Sequence, residues 1–127
     1  MGRQKLIYIV DDDPMINMLV TRRLTSEGYL VKSFTYGEEC LKELHEGPDL
    51  IILDYYFVRE NEEVMNGLEV YTRIMELMPR NHVIILSGQE NGEIVLELAR
   101  RGIDDYIIKD HNLIDNLIVS VRKSLKR

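Results

Sequence analysis

Short apolar runs recur along the chain at a steady interval: Leu6 to Val10, Tyr29 to Phe34, Leu50 to Leu53, Val83 to Leu86, and Tyr106 to Ile108. Four of the five are nearly continuous in apolar residues rather than alternating, which is the pattern of strands covered on both faces. Between and after them, apolar residues return at helical spacing: Ile16, Leu19, Val20 and Leu24; Leu41 and Leu44; Leu68, Tyr71, Ile74, Met75 and Met78; Ile94, Val95 and Leu98; Leu113, Leu117, Ile118, Val121 and Leu125. Residues spaced in this way line one face of a helix. The chain therefore reads as strands alternating with helices, five of each. Right-handed crossovers then place the helices on both faces of one sheet. The predicted fold class is α/β, a doubly wound, five-stranded parallel sheet.

Boundary residues agree with the periodicity. Asp13 followed by Pro14 is a helix cap with proline at the first helical position, and Gly28, Gly47 and Gly102 sit where helices should stop. Pro79 is expected to end the third helix. No repeat, Gly/Ser linker or shift in composition marks a second domain, so one domain over residues 1–127 is expected. The longest irregular stretch, Tyr55 to Asn66, is long for a strand-to-helix connection in such a fold, which marks it as functional rather than idle.

In open parallel sheets, ligands bind outside the carboxyl ends of the strands, near the point where strand order reverses. After the first strand come Asp11, Asp12 and Asp13; after the third, Asp54; after the fourth, Ser87; after the fifth, Lys109. The second ends in Phe34 and Thr35 with nothing charged, which fits the order 2-1-3-4-5. Converging carboxylates repel one another unless a cation joins them, and oxygen ligands without histidine or cysteine favour Mg²⁺. Lys109 offers a compact positive charge and Ser87 a neutral donor. Taken singly, each residue has an ordinary reading: Asp13 is a cap, an aspartate after a strand is turn chemistry, and a lysine is solvated. Their joint placement at four strand ends points instead to a site for a phosphoryl group carried on a carboxylate.

Composition narrows the field further. The chain is 45% hydrophobic, with 8 glycines and 3 prolines, which excludes disorder and collagen-like repeats. No apolar run approaches the ~18 residues of a membrane span, and the start shows no signal-peptide pattern, so a soluble cytoplasmic protein without a membrane partner is expected. The single cysteine, Cys40, cannot form an internal disulfide. A net charge of −6 argues against direct nucleic-acid binding. The basic cluster Arg122, Lys123, Lys126 and Arg127 suits the last turn of a helix. His45, His82 and His111 are too scattered to suggest a transition-metal site.

At this point the sequence resembles the receiver domain of two-component response regulators. The resemblance covers nearly the whole chain and is carried by Ile9-Val-Asp-Asp-Asp-Pro14, Leu50-Ile-Ile-Leu-Asp54, Met65-Asn-Gly-Leu-Glu69, Ile84-Ile-Leu-Ser-Gly88 and Gly102-Ile-Asp-Asp-Tyr-Ile-Ile-Lys109. It implies a flavodoxin-like topology with Asp54 as phosphoacceptor and Asp11 and Asp12 as the acidic pair. In that family the second acid binds Mg²⁺ directly, the first works mainly through water, and a backbone carbonyl two residues past the phosphoacceptor, here Tyr56, completes the protein ligands. Ser87 matches the switch hydroxyl, Tyr106 the switch aromatic, and Lys109 the family's lysine, while Gly88 matches the small residue after the hydroxyl. The implied donor is the phosphohistidine of a sensor histidine kinase or phosphotransfer protein. The implied output is an altered face made by the fourth helix, fifth strand and fifth helix, which controls a downstream protein partner and leaves homodimerisation open. Such a chain would be a phosphoacceptor rather than an enzyme, with any output domain outside it.

The sequence departs from the family pattern twice. The segment from Asp54 to Gly67 is longer than is common and lacks the usual Met-Pro pair; its Arg59, Glu60, Asn61, Glu62 and Glu63 read as a solvated flap or as a contact that gates donor access. Asp110 stands where proline commonly follows the lysine in a cis peptide, so Lys109–Asp110 is expected to be trans or held cis by context, and the reach of Lys109 depends on which. Three rival readings compete with the receiver. A degenerate receiver would act without phosphorylation, although every matched position is present. An aspartate-nucleophile phosphohydrolase would need a second acid two residues after Asp54, where Tyr56 stands. Flavin binding would need a hydroxyl- and glycine-rich loop where this chain has acids.

Overall fold

The computed structural model describes residues 3–55, 67–88 and 92–126, apart from the side chain of Ile94. Its strands are β1 (Leu6–Val10), β2 (Leu30–Phe34), β3 (Leu50–Asp54), β4 (His82–Ser87) and β5 (Asp105–Ile108). Its helices are α1 (Pro14–Ser26), α2 (Gly37–Lys42), α3 (Gly67–Leu77), α4 (Gly92–Arg100) and α5 (Leu113–Ser124). All strand pairs are parallel and the order is β2-β1-β3-β4-β5, as the distribution of charged strand ends predicts.

The continuous apolar runs are explained by two cores, one on each side of the sheet. Tyr8, Val10, Ile51, Leu53, Val83 and Ile85 point to one side, where they meet Cys40 of α2, Val70, Tyr71 and Ile74 of α3, and Leu98 of α4. Their sequence neighbours Ile7, Ile9, Leu50, Ile52, Ile84 and Leu86 point to the other, against Val20 and Leu24 of α1 and Leu117, Ile118 and Val121 of α5. Because side chains alternate along a strand, only a strand buried on both faces needs apolar residues at every position. β2 carries Lys32 and Ser33 and leaves Leu30 half exposed, as an edge strand can.

The local signals behave as their chemistry requires. Asp13 caps α1, its side chain accepting from the Met15 N–H at 2.9 Å and the Ile16 N–H at 3.4 Å, with Pro14 in the first turn. Gly28, Gly47 and Gly102 all take positive φ, and at Gly47 (φ 73) the left-handed turn reverses the chain into β3. The second helical segment differs from one continuous helix through Leu41 and Leu44. α2 stops at Lys42, and Leu44–Glu46 forms a tighter 3-10 turn. Tyr8, rising from the sheet, donates its hydroxyl to the Glu43 carbonyl at the break, and the tighter turn brings Leu44 into the core.

Register decides where the site falls. Val10 pairs with Phe34 and Leu53, Asp54 with Leu86, and Ser87 with Ile108, so the strands end close to one level. At the opposite edge, Asp49 ties the chain start to the sheet. It accepts from the Leu6 N–H at 2.8 Å and from both terminal nitrogens of Arg3 at 3.0 and 2.8 Å. Burial would raise the Asp49 pKa, but Arg3, the Leu6 N–H and Lys5 outweigh it and hold the carboxyl below its ordinary value. A depressed carboxylate stabilises the fold fully above its unfolded pKa and loses that contribution as pH falls through the folded value. Asp49→Asn, which keeps an oxygen for the Leu6 N–H, should therefore cost about 0.5 to 1 kcal/mol at neutral pH, since Arg3 is exposed. In urea unfolding followed against pH, that gap should hold from about pH 8 to 5 and close below about pH 4.

Candidate functional site

The carboxyl edge of the sheet gathers the predicted polar residues from separate strands. Asp11 follows β1 and is fully buried, while Asp54 is the last residue of β3 and is 1% exposed. Carboxylate oxygens of Asp11, Asp12 and Asp54 all lie within 4.8 Å of one another. Lys109 follows β5, and its backbone N–H extends the strand pairing by donating to the Ser87 carbonyl at 2.8 Å. Its ammonium reaches back across the sheet edge to Asp11 Oδ2 at 2.8 Å and to Asp54 Oδ1 at 3.2 Å. The described residues contain no cis peptide bond, so Lys109–Asp110 is trans, and the reach of Lys109 is intact.

Asp11 uses its other oxygen locally, Oδ1 accepting from the Asp13 N–H at 2.9 Å. Burial pushes the Asp11 pKa up; Lys109 and the Asp13 N–H pull it back, but it stays above the usual carboxylate value. Burial by itself would lower the Lys109 pKa, yet the contacts with Asp11 and Asp54 outweigh it and hold the lysine above its ordinary value. The lysine therefore stays charged. Among the described residues, one ammonium against three carboxylates leaves an excess of negative charge at a mostly buried edge, and every donor atom of the acid group is a hard oxygen. This set fits a divalent cation of the Mg²⁺ type.

Ser87 ends β4 and is 2% exposed, so its hydroxyl lies at the same buried edge. Tyr106 lies on β5, half buried against the core that holds Ile85 and Leu98. A Cβ placed at Gly88 would meet no atom within 4 Å, so space is open just beyond Ser87. At Gly67, which opens α3, a Cβ would lie 2.1 Å from the Tyr55 carbonyl oxygen. Glycine is thus required there by a close approach to the chain just after Asp54. Tyr56, expected from the resemblance to offer a carbonyl ligand, lies outside the described residues, as does the extended segment from 56 to 66.

The structure also brings in residues that the sequence pattern did not single out. Asn17 of α1 donates from Nδ2 to the Asp11 carbonyl at 2.7 Å. Its position between Ile16 and Val20, on the sheet-facing side of a helix, was the only hint available. Glu43, His45 and Glu46 form a second group of metal-ligand type within 4.8 Å. There Lys32 already sits 2.5 Å from Glu43 and 3.1 Å from Glu46, so both acids are paired with a lysine held well above its ordinary pKa.

Comparison with known proteins agrees with this geometry. A family model described as the response regulator receiver domain matches residues 7–122. The nitrogen assimilation regulatory protein NtrX of Azorhizobium caulinodans is 33% identical over 121 residues, which is 94% of this chain and 26% of that relative. The chain thus spans about a quarter of the length of that protein. The chemotaxis protein CheY of Thermotoga maritima is 29% identical over 107 residues, covering 83% of this chain and 85% of its own length. Among solved structures, the response regulator TrrA of Thermotoga maritima, in complex with Mg²⁺ and beryllium fluoride, superposes with a TM-score of 0.80 at 32% identity, covering 96% of this chain and all of the other. No helix among the described residues is long and apolar enough to cross a membrane. The five-stranded order, the acid-bearing edge and a family match that runs from β1 into α5 lead to one conclusion: this chain belongs to the response regulator receiver domains of two-component systems.

Proposed function

We propose that the chain receives a phosphoryl group on Asp54 and passes the signal to a protein partner through the face built from α4, β5 and α5. The observation that carries this reading is the Lys109 ammonium, held between the buried carboxylates of Asp11 and Asp54. It places a fixed positive charge beside the one carboxylate that ends the central strand β3. In the reaction, a carboxylate oxygen of Asp54 attacks phosphorus in line, the bond to the donor nitrogen breaks, and the imidazole of the donor leaves. That donor would be the phosphohistidine of a sensor histidine kinase or of a phosphotransfer protein. Lys109 faces the oxygens of the moving phosphoryl group, where its charge is worth most in a site with little water.

Asp11, Asp12, Asp54 and the Tyr56 carbonyl would hold Mg²⁺, which when bound supplies further positive charge against the phosphoryl oxygens. Asp12 is the most exposed of the three acids and is the best placed to ligate directly. Asp11 already uses its oxygens on the Asp13 N–H and Lys109, which supports a role mainly through water. Once phosphorylated, Asp54 carries more negative charge, and the Ser87 hydroxyl is the neutral donor that can turn toward it. Movement of the chain at Ser87 would free space beside Ile85 and Leu98, into which the Tyr106 ring can turn. Shifting such a two-state element from about 1:99 to 99:1 takes roughly 5.5 kcal/mol of differential interaction. The chain is then a phosphoacceptor that acts only on its own phosphorylation and dephosphorylation, and it would meet kinase and partner in the cytoplasm.

Incubation with Mg²⁺ and acetyl phosphate, followed by intact mass measurement, should show the gain of one phosphoryl group that is stable in acid and labile in base. The gain should vanish in Asp54→Asn and when Mg²⁺ is chelated. Lys109→Met should slow the gain about a hundredfold, the usual loss when one fixed charge-stabilising group is removed. No gain from acetyl phosphate or from a phosphohistidine donor would leave an interaction module that works without phosphorylation; donor turnover without a phosphoprotein would mark a hydrolase.

A further inference from the structure

Asn17 belongs to none of the acid, hydroxyl and lysine positions, yet it touches the backbone on which the acids are mounted. Its Nδ2 donates to the Asp11 carbonyl at 2.7 Å and to the Phe34 carbonyl at 3.3 Å. The Asp11 N–H donates to the same Phe34 carbonyl at 3.1 Å. One side chain from the start of α1 therefore joins the ends of β1 and β2. The Asp11 carbonyl belongs to the peptide unit that links Asp11 to Asp12. That unit is planar, so fixing its carbonyl fixes the direction in which the chain enters Asp12. The side chain of Asp11 is anchored separately, by the Asp13 N–H and Lys109.

The chemistry of the contact suits an amide and little else. Both targets are carbonyl oxygens, so a carboxylate at this position would repel them, and an aliphatic side chain would offer no donor. The other end of the amide, Oδ1, is buried and has no hydrogen-bond partner among the described residues. Asn17 therefore keeps a polar group in a buried place for the use of its NH₂ alone.

We infer that Asn17 is a positioning residue for the divalent-cation site: by holding the Asp11–Asp12 peptide it sets the carboxylate of Asp12 beside Asp54 before any ion arrives. The inference rests on the reading of Asp11, Asp12 and Asp54 as cation ligands. Groups that orient ligands from behind commonly change metal affinity by 10- to 100-fold when lost. Removing the Asn17 donor should weaken Mg²⁺ binding by about tenfold. The loss should appear in affinity rather than in the capacity of Asp54 to accept phosphoryl.

Asn17→Leu, close in size but without a donor, tests this, with Asn17→Ala as the second variant should leucine disturb folding. Mg²⁺ affinity is measured by titration calorimetry, and metal-free thermal unfolding is followed in parallel. The expected result is a Kd for Mg²⁺ about tenfold higher than that of the unaltered chain, with phosphorylation by acetyl phosphate recovered as Mg²⁺ is raised. An unchanged Kd in a folded variant overturns the inference. So does a phosphorylation defect that saturating Mg²⁺ fails to recover, because that pattern belongs to a merely structural role. If the unaltered chain binds no Mg²⁺, the reading of the acids as ligands falls first, and the role of Asn17 falls with it.

Discussion

The ammonium of Lys109, set between Asp11 and Asp54, is the contact on which the arrangement of this molecule depends. Two carboxylates buried to 0% and 1% exposure would repel each other and lose their hydration without it. The contact also crosses the sheet, joining the residue after β5 to the residue after β1 and to the last residue of β3. It can form only if those strands end at one level, and the register of the parallel pairs ensures that they do. Among the described residues Lys109 contacts Asp11 and Asp54, and the carboxylate of Asp12 lies within 4.8 Å of both acids. Such an oxygen-rich set suits a divalent cation, and the chemistry proposed for Asp54 would draw on it.

The two-sided core is what makes such a site possible. β1, β3 and β4 bury nearly every side chain on one face or the other, so the strand ends are rigid platforms rather than mobile tips. The opposite edge is secured by Asp49 with Arg3 and the Leu6 N–H. Asp105 adds a partly buried contact on the side of α5, accepting from the Ser120 hydroxyl at 2.6 Å just before Tyr106. On the side of α4, Tyr71 of α3 donates to the Arg101 carbonyl at 3.0 Å. α5 and the chain just past α4 are thus each tied to a neighbouring element by a partly buried polar contact.

Much of this was legible in the sequence because it was written in patterns that physics makes obligatory. Uninterrupted runs such as Leu50 to Leu53, short and recurring between helical segments, fit strands covered on both sides, and Asp13-Pro14 has the chemistry of a helix cap. The charged residues after strands one, three and five, with none after strand two, fit the strand order that the structure has. What escaped was whatever depends on side chains meeting across the fold. Asn17 looks like any polar residue on a helix until its amide is seen on two strand-end carbonyls. The break between α2 and the 3-10 turn is met by the hydroxyl of a tyrosine from β1, far away in sequence. Lys32 similarly occupies the acids of the Glu43, His45 and Glu46 group with an ion-paired ammonium.

At the acid edge Lys109 is one positive charge beside the carboxylates of Asp11, Asp12 and Asp54, and in the proposed function a divalent cation takes up the remainder. Thermal unfolding of the unaltered chain with and without Mg²⁺, at ionic strength matched with sodium chloride, tests this most directly. Binding to the folded state alone should add about 2.7 kcal/mol when Mg²⁺ stands at a hundred times its Kd. That corresponds to a rise of several degrees in Tm, which sodium at the same ionic strength should not reproduce. A midpoint that does not move with Mg²⁺, or that moves equally with sodium, would contradict a divalent-cation site at this edge.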